Sequence, residues 1–173
     1  MAREYLKAFI RTEENAKLKS GDMSMMRHAS PEGGTDTVGY GRKLTKDEND
    51  SGKVDGKLIS SFTIEDADRM LMVDINRSRA SLNKRLQSNY DIELDSLSQR
   101  KQDMLTDYEY NLGDVIRKFP KFTRHVINNN EAGQIKEMVR NYTDSEGNSR
   151  PLSRNKRFFE AFMSTSAINL LGE

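Results

Sequence analysis

The chain has 173 residues, enough to bury one substantial core, and no cysteine, which excludes disulfides and thiolate metal sites. Its 28 Lys and Arg against 27 Asp and Glu leave a formal net charge of +1, so the even basic excess of a general nucleic-acid binder is absent. Mean hydropathy is -0.83, yet the apolar residues recur at regular spacing, which argues against disorder. No stretch is long and apolar enough to span a bilayer, and an N-terminus with Glu4 and no apolar run does not read as a signal peptide.

The first predicted element is a short amphipathic helix. Ala2, Tyr5, Leu6, Phe9 and Ile10 fall at helical spacing between Arg3, Glu4, Lys7 and Arg11, and the helix should end near Glu13 or Glu14. From Ser20 to Thr45 glycines and Pro31 break helices; Met23 to His28 and Thr35 to Tyr40 read as two strands around a Pro-Glu-Gly-Gly turn. Lys46 to Lys57 is polar, holds Gly52 and Gly56, and reads as a loop or irregular extension.

A long helix follows. Thr63 with Asp66 has the sense of a capping box, and Ile64, Ala67, Met70, Leu71 and Ile75 supply an apolar stripe running to about Leu86. Leu97, Met104, Leu105, Tyr108 and Leu112 mark another helix with Gly113 at its C-cap. Pro120 suits the first turn of a helix through Phe122, Val126 and Ile127; Ile135, Met138 and Val139 mark one more. Thr143 to Pro151 reads as a loop, and Arg154 to Met163 aligns Phe158, Phe159 and Phe162 on one side.

Two features carry chemistry. Glu13 and Glu14 are adjacent carboxylates at a predicted helix C-terminus, where the negative end of the dipole raises a carboxyl pKa. An acid held protonated near neutrality can protonate a glycosidic oxygen, although a plain pair of surface acids has the same pattern. The second feature is His28 to Gly41, where Gly33 and Gly34 at a turn and Gly39 and Gly41 in a strand let a flat ligand approach bare backbone, as a ligand-free hairpin also would. The two histidines, His28 and His125, lie far apart and no cysteine joins them, so no metal site is expected. His125 reads as a surface or packing residue. Gly33-Gly34 lacks the lysine and helix start of a phosphate loop. Met23, Met25 and Met26 read as core filling.

In this order, a Glu at the end of the first helix, a glycine-turned hairpin and Thr37-Val38-Gly39-Tyr40-Gly41-Arg42-Lys43-Leu44-Thr45 resemble the N-terminal part of the phage-type lysozymes and endolysins. Thr63 to Leu71 is similar to that family's interlobe helix. Asn111-Leu112-Gly113 with Phe119-Pro120-Lys121-Phe122 resembles its central helix and the following turn, and Leu152 to Arg157 its late basic segment. The resemblance implies an α+β fold with a small β-hairpin lobe and a larger helical lobe joined by a long helix, a cleft between them. In one lysozyme-like domain the small lobe would cover about 14–62, and the helical lobe about 63–173 plus the N-terminal helix 1–13.

The resemblance also implies site residues. Glu14 matches the catalytic acid, Glu13 a neighbouring acidic position, and Thr37 a threonine lining the reaction centre. Arg154 matches a basic residue that pairs with the acid, which would lower the Glu14 pKa and oppose the helix-end effect. Gly39, Asn111, Tyr108 and Tyr110 are candidate substrate contacts, with a core role open for Tyr108. The chain departs from the family where an aspartate would precede the turn. His28 is the preferred replacement because a neutral imidazole accepts a proton at physiological pH; Asp22 is the alternative, while Asp36 would point to the opposite strand face from Thr37.

The implied activity is a muramidase that cuts the β-1,4 link of peptidoglycan without a cofactor, as a monomer that neither binds nucleic acid nor inserts stably in a membrane. Lytic transglycosylation with the same acid and a non-catalytic virion or wall-binding module remain as alternatives. The ten Lys and Arg against seven Asp and Glu from Asp114 onward, with Arg150, Arg154, Lys156 and Arg157 bunched, would suit an anionic polymer or form a solvated face. Without a leader, the expected location is a host cytoplasm before release to the wall, or a virion.

Overall fold

The computed structural model describes residues 2–14, 36–138, 141–143, 149–151 and 153–163. They form helix α1 (Ala2–Glu14), strands β1 (Thr37–Val38) and β2 (Arg42–Lys43), helix α2 (Lys46–Ser51), and strands β3 (Lys53–Val54) and β4 (Lys57–Leu58). Helices α3 (Ile64–Tyr90), α4 (Gln99–Leu112), α5 (Val115–Lys118), α6 (Pro120–Ile127) and α7 (Glu131–Met138) follow, then β5 (Asn141–Thr143), β6 (Ser149–Pro151) and α8 (Ser153–Phe162). The described residues make an α+β arrangement with three small antiparallel pairs, β1–β2, β3–β4 and β5–β6. Met1–Asn76 and Arg77–Glu173 make two compact units, the division falling inside α3; α1 belongs to the first.

The described hairpin is formed by β1 and β2. Thr37 pairs with Lys43 and Val38 with Arg42 around a turn at Gly39-Tyr40-Gly41, while the predicted Met23 to His28 strand and Pro31 to Gly34 turn lie outside the described residues. Gly39 and Gly41, read as strand positions, sit in that turn at φ of 60° and 83°, where a Cβ is disfavoured. A Cβ on Gly39 would also stand 3.1 Å from Ala67 Cβ, so the turn lies directly on the first turns of α3.

The segment after the hairpin is ordered rather than loop. Thr45 caps α2 in a reciprocal box: its hydroxyl accepts from Glu48 N at 3.2 Å while its own N–H donates to Glu48 Oε2 at 2.8 Å, and Gly52 closes the helix in the left-handed region. Asp55 and Gly56, with φ of 50° and 79°, join β3 to β4 as the two central residues of a tight turn. Thr63 and Asp66 form the expected box at the head of α3: Asp66 Oδ2 accepts from Thr63 N at 3.0 Å, and Thr63 Oγ1 accepts from Asp66 N at 3.3 Å. Helix α3 runs to Tyr90, a turn beyond the apolar stripe, because nothing before Asp91 breaks it.

The first unit packs Val38, Leu44, Val54, Ile59 and Met70 together, with Phe62 against them. The second centres on Tyr108, which is stacked on Phe122 at 4.2 Å and meets Phe119 and Phe158 edge-on at 5.6 and 5.4 Å. Tyr108 is therefore core and not a substrate contact. Asp114 caps α5 through its side chain and Pro120 opens α6 at a first-turn position. His125 fills a packing role: α7 meets α6 at Gly133, where a Cβ would collide with the imidazole.

Gly39→Ala combines a left-handed φ with a contact against backbone-fixed Ala67, so it should destabilise the chain by about 2 kcal/mol. Gly52→Ala, at a similar φ but in open space, should lose about 1 kcal/mol, as judged by chemical denaturation of both variants.

Candidate functional site

Lys7, Arg11 and Glu14 are spaced i, i+4, i+7 and so share one face of α1, with Glu14 at its last position. The heads of the first two show what that face meets. Lys7 Nζ lies 3.0 Å and Arg11 Nη1 3.6 Å from Asp68 Oδ2 on α3, and the Arg11 guanidinium stands 5.5 Å above the Tyr40 ring. Tyr40, in the hairpin turn, donates its hydroxyl to Asp68 Oδ1 at 2.7 Å. One carboxylate thus joins the helix that bears Glu14, the turn that follows Thr37, and the head of α3.

The electrostatics follow from burial and neighbours. Burial pushes Tyr40 well above the usual phenol range, and its bond to Asp68 adds to that, so the hydroxyl stays a donor at every physiological pH. Burial pulls Asp68 upward, but the Tyr40 hydroxyl, Lys7 and Arg11 outweigh it and hold the carboxyl below its ordinary value. Arg42 on β2 fastens the same hairpin elsewhere, bonding Glu48 at 2.7 Å and lying 3.9 Å from Asp74. Burial likewise opposes ionisation of Glu48, and the Thr45 N–H with Arg42 overcomes it.

Among the sequence candidates, Thr37 is buried in β1 and Gly39 in the turn beside it, both in the unit that contains α1. Glu14 closes α1, while its side chain lies outside the described residues, as do His28 and Asp22. Asn111 and Arg154 belong to the second unit. Asn111 sits half-buried near the end of α4, where its Nδ2 donates to Asp107 O at 2.8 Å and Oδ1 at 2.9 Å. Arg154 lies in the first turn of α8 with its side chain outside the described residues.

No protein-family model and no curated protein matches the sequence. Solved structures do match. The muramidase domain of SpmX from Asticaccaulis excentricus superposes with a TM-score of 0.59 at 17% identity, over 92% of this chain and 95% of that one. The endolysin from Escherichia coli O157:H7 phage FAHEc1 gives 0.57 at 18% identity, over 96% and 89%. A variant of P22 lysozyme gives 0.60 at 18% identity, over 92% and 95%. The chain has the lysozyme-like fold.

Within that lysozyme-like fold, the sequence reading missed the Lys7, Arg11, Tyr40 and Asp68 group. The common face of Lys7 and Arg11 was legible from their i, i+4 spacing, whereas Asp68 follows Glu65 and Asp66 and carries no local mark of its own. Among the described residues no cluster of three His, Cys, Asp or Glu side chains is placed to hold a metal ion, and no helix is long and apolar enough to cross a membrane.

Because Asp68 has a depressed folded-state pKa, its contribution exists above the unfolded value near about pH 4 and vanishes as pH falls through the folded value. Asp68→Asn should therefore cost about 1–2 kcal/mol at pH 7, and the gap from the wild type should close toward about pH 2. Denaturation curves across that range check this; a gap independent of pH would mean that the Asp68 charge is not what binds α1 to the turn.

Proposed function

We propose that the chain is a peptidoglycan-degrading muramidase that cleaves the β-1,4 link between N-acetylmuramic acid and N-acetylglucosamine. The supporting observation is that the α1 face shared by Glu14 meets the turn following Thr37 through Arg11, Tyr40 and Asp68, in a chain of lysozyme-like fold. The neighbours described as muramidase, endolysin and lysozyme share that fold at 17–18% identity, so the reaction itself rests on the residues.

In this reading Glu14 donates its proton to the leaving glycosidic oxygen. Water adds to the anomeric carbon from the opposite face and gives its proton to His28, with Asp22 as the alternative base, so the new hemiacetal has inverted configuration. Thr37 holds the water or the sugar, Arg154 orients Glu14, and Gly39 and Asn111 contact the glycan. No cofactor takes part. The enzyme acts as a monomer on wall glycan, without nucleic acid or stable membrane insertion, in bacterial lysis or phage entry. It is held in a host cytoplasm until release, or carried by a virion.

The replacement of the expected aspartate by His28 or Asp22 gives transglycosylation a specific motive: without an effective base for water, the sugar's own hydroxyl attacks and an anhydro end results. Mass spectrometry of muropeptides released from purified peptidoglycan separates the two. Reducing ends are expected from the wild type, with release falling by at least about 100-fold in Glu14→Gln. Anhydro ends would assign a transglycosylase, and a folded protein that binds sacculi but releases nothing would assign a wall-binding module.

A further inference from the structure

The first turn of α4, the α6–α7 connection and the first turn of α7 enclose a cavity of about 330 Å3, built wholly from the second unit and the size of a monosaccharide site. Ser98, Lys101, Met104, Asn129 and Gln134 line it together with the ion pair of Arg100 and Glu131. Asn129 holds the connection at φ 58°, in the left-handed region that asparagine tolerates better than most residues.

Three of its groups ask for a ligand. Gln134 is 3% exposed; its Nε2 donates to His125 O at 3.1 Å, which fixes the amide orientation, and its Oε1 has no hydrogen-bond partner. A buried acceptor is ordinarily paired, so a donor belongs there. Lys101 Nζ donates to Ile127 O at 2.8 Å and makes no ion pair among the described residues, leaving a positive charge and two further N–H bonds. Ser98 occupies the N-cap of α4 without a side-chain hydrogen bond, so the first-turn N–H groups and the positive end of that helix dipole also face outward. Arg100 differs: Glu131 and the Phe162 carbonyl already hold its guanidinium.

We propose that this cavity binds a small oxyanion that also carries a hydroxyl or amide N–H, such as a sugar acid or a glycerol phosphate. The anion lies against Lys101 and the α4 N-terminus, the hydroxyl or N–H donates to Gln134 Oε1, and Met104 meets the carbon skeleton. Binding involves no covalent step and does not depend on the muramidase reading.

The test is NMR titration of the full chain with N-acetylmuramic acid, with glycerol phosphate, with plain acetate, and with neutral glycerol as control. The readouts are the backbone amides of Gln99, Arg100 and Lys101 and the side-chain amide of Gln134. Saturable shifts at those signals with one or both acids, and none with glycerol, are expected; which acid acts identifies a carboxylate or a phosphate source. Lys101→Gln should weaken binding by about tenfold, and Gln134→Leu should weaken it while abolishing discrimination between the acid probes and plain acetate. Lys101→Gln changes a half-buried side chain whose charge is not part of an ion pair among the described residues, so it carries the test even where Gln134→Leu folds poorly. No shift with either acid at concentrations of about 20 mM, or wild-type affinity in Lys101→Gln, overturns the proposal.

Discussion

The arrangement of the first unit turns on the carboxylate of Asp68. Its two oxygens serve a phenol at 2.7 Å, an ammonium at 3.0 Å and a guanidinium at 3.6 Å, which come from the hairpin turn and from α1. Apolar packing brings these elements together without fixing their rotation: Leu6 and Ile10 are buried, and a helix can roll about such a contact at little cost. Charge-assisted bonds to a single point are directional, so they set which face of α1 meets the turn. Gly39 is the steric half of the same constraint, since any larger residue would hold the turn away from Ala67 and take Tyr40 with it.

The second unit solves a different problem. Every residue of α4 from Gln102 to Glu109 is buried, and Gln102, Asp103, Thr106, Asp107 and Glu109 among them are polar. Two arginines of α3 supply part of the compensation. Arg79 bonds Gln102 at 2.7 Å and Asp95 at 2.8 Å, and Arg85 pairs with Glu109, whose other oxygen accepts from Val115 N at 2.9 Å. Burial still pushes the Asp103 carboxyl up, despite its bond from Gln99 and the nearby Arg79. Buried pairs of this kind add little net stability, yet removing one partner strands the other, so they specify an arrangement more than they strengthen it. The aromatic group around Tyr108 and Phe122 contributes the apolar burial on which that arrangement rests.

What the sequence made legible follows from how local each determinant is. The Thr63-Asp66 box, Pro120 at a first helical turn and Gly113 after α4 act within four residues, and the helices they bound appear where expected. The same local logic was present in Thr45 with Glu48 and in Asp55-Gly56, but the polar composition of that stretch masked a capping box and a tight turn. Gly39 and Gly41 carried a turn signal of their own that was read as strand, and only the long-range pairing of Thr37 with Lys43 shows that the chain reverses there. Strands β5 and β6, three residues each, have too little pattern to stand out from a loop. Asp68, by contrast, becomes visible only when chain positions twenty-eight apart meet at Tyr40.

That meeting bears on the proposed acid. A glutamate at the end of α1 shares its face with Lys7 and Arg11, and Arg11 is a single turn away, close enough to pair with it along the helix. Such a pair would favour the carboxylate and work against proton donation. Asp68 engages both cations and the Arg11 guanidinium stands over the Tyr40 ring, so their charge is directed toward α3 and the turn. The contact that orients the helix therefore also takes up the two cations on its own C-terminal face.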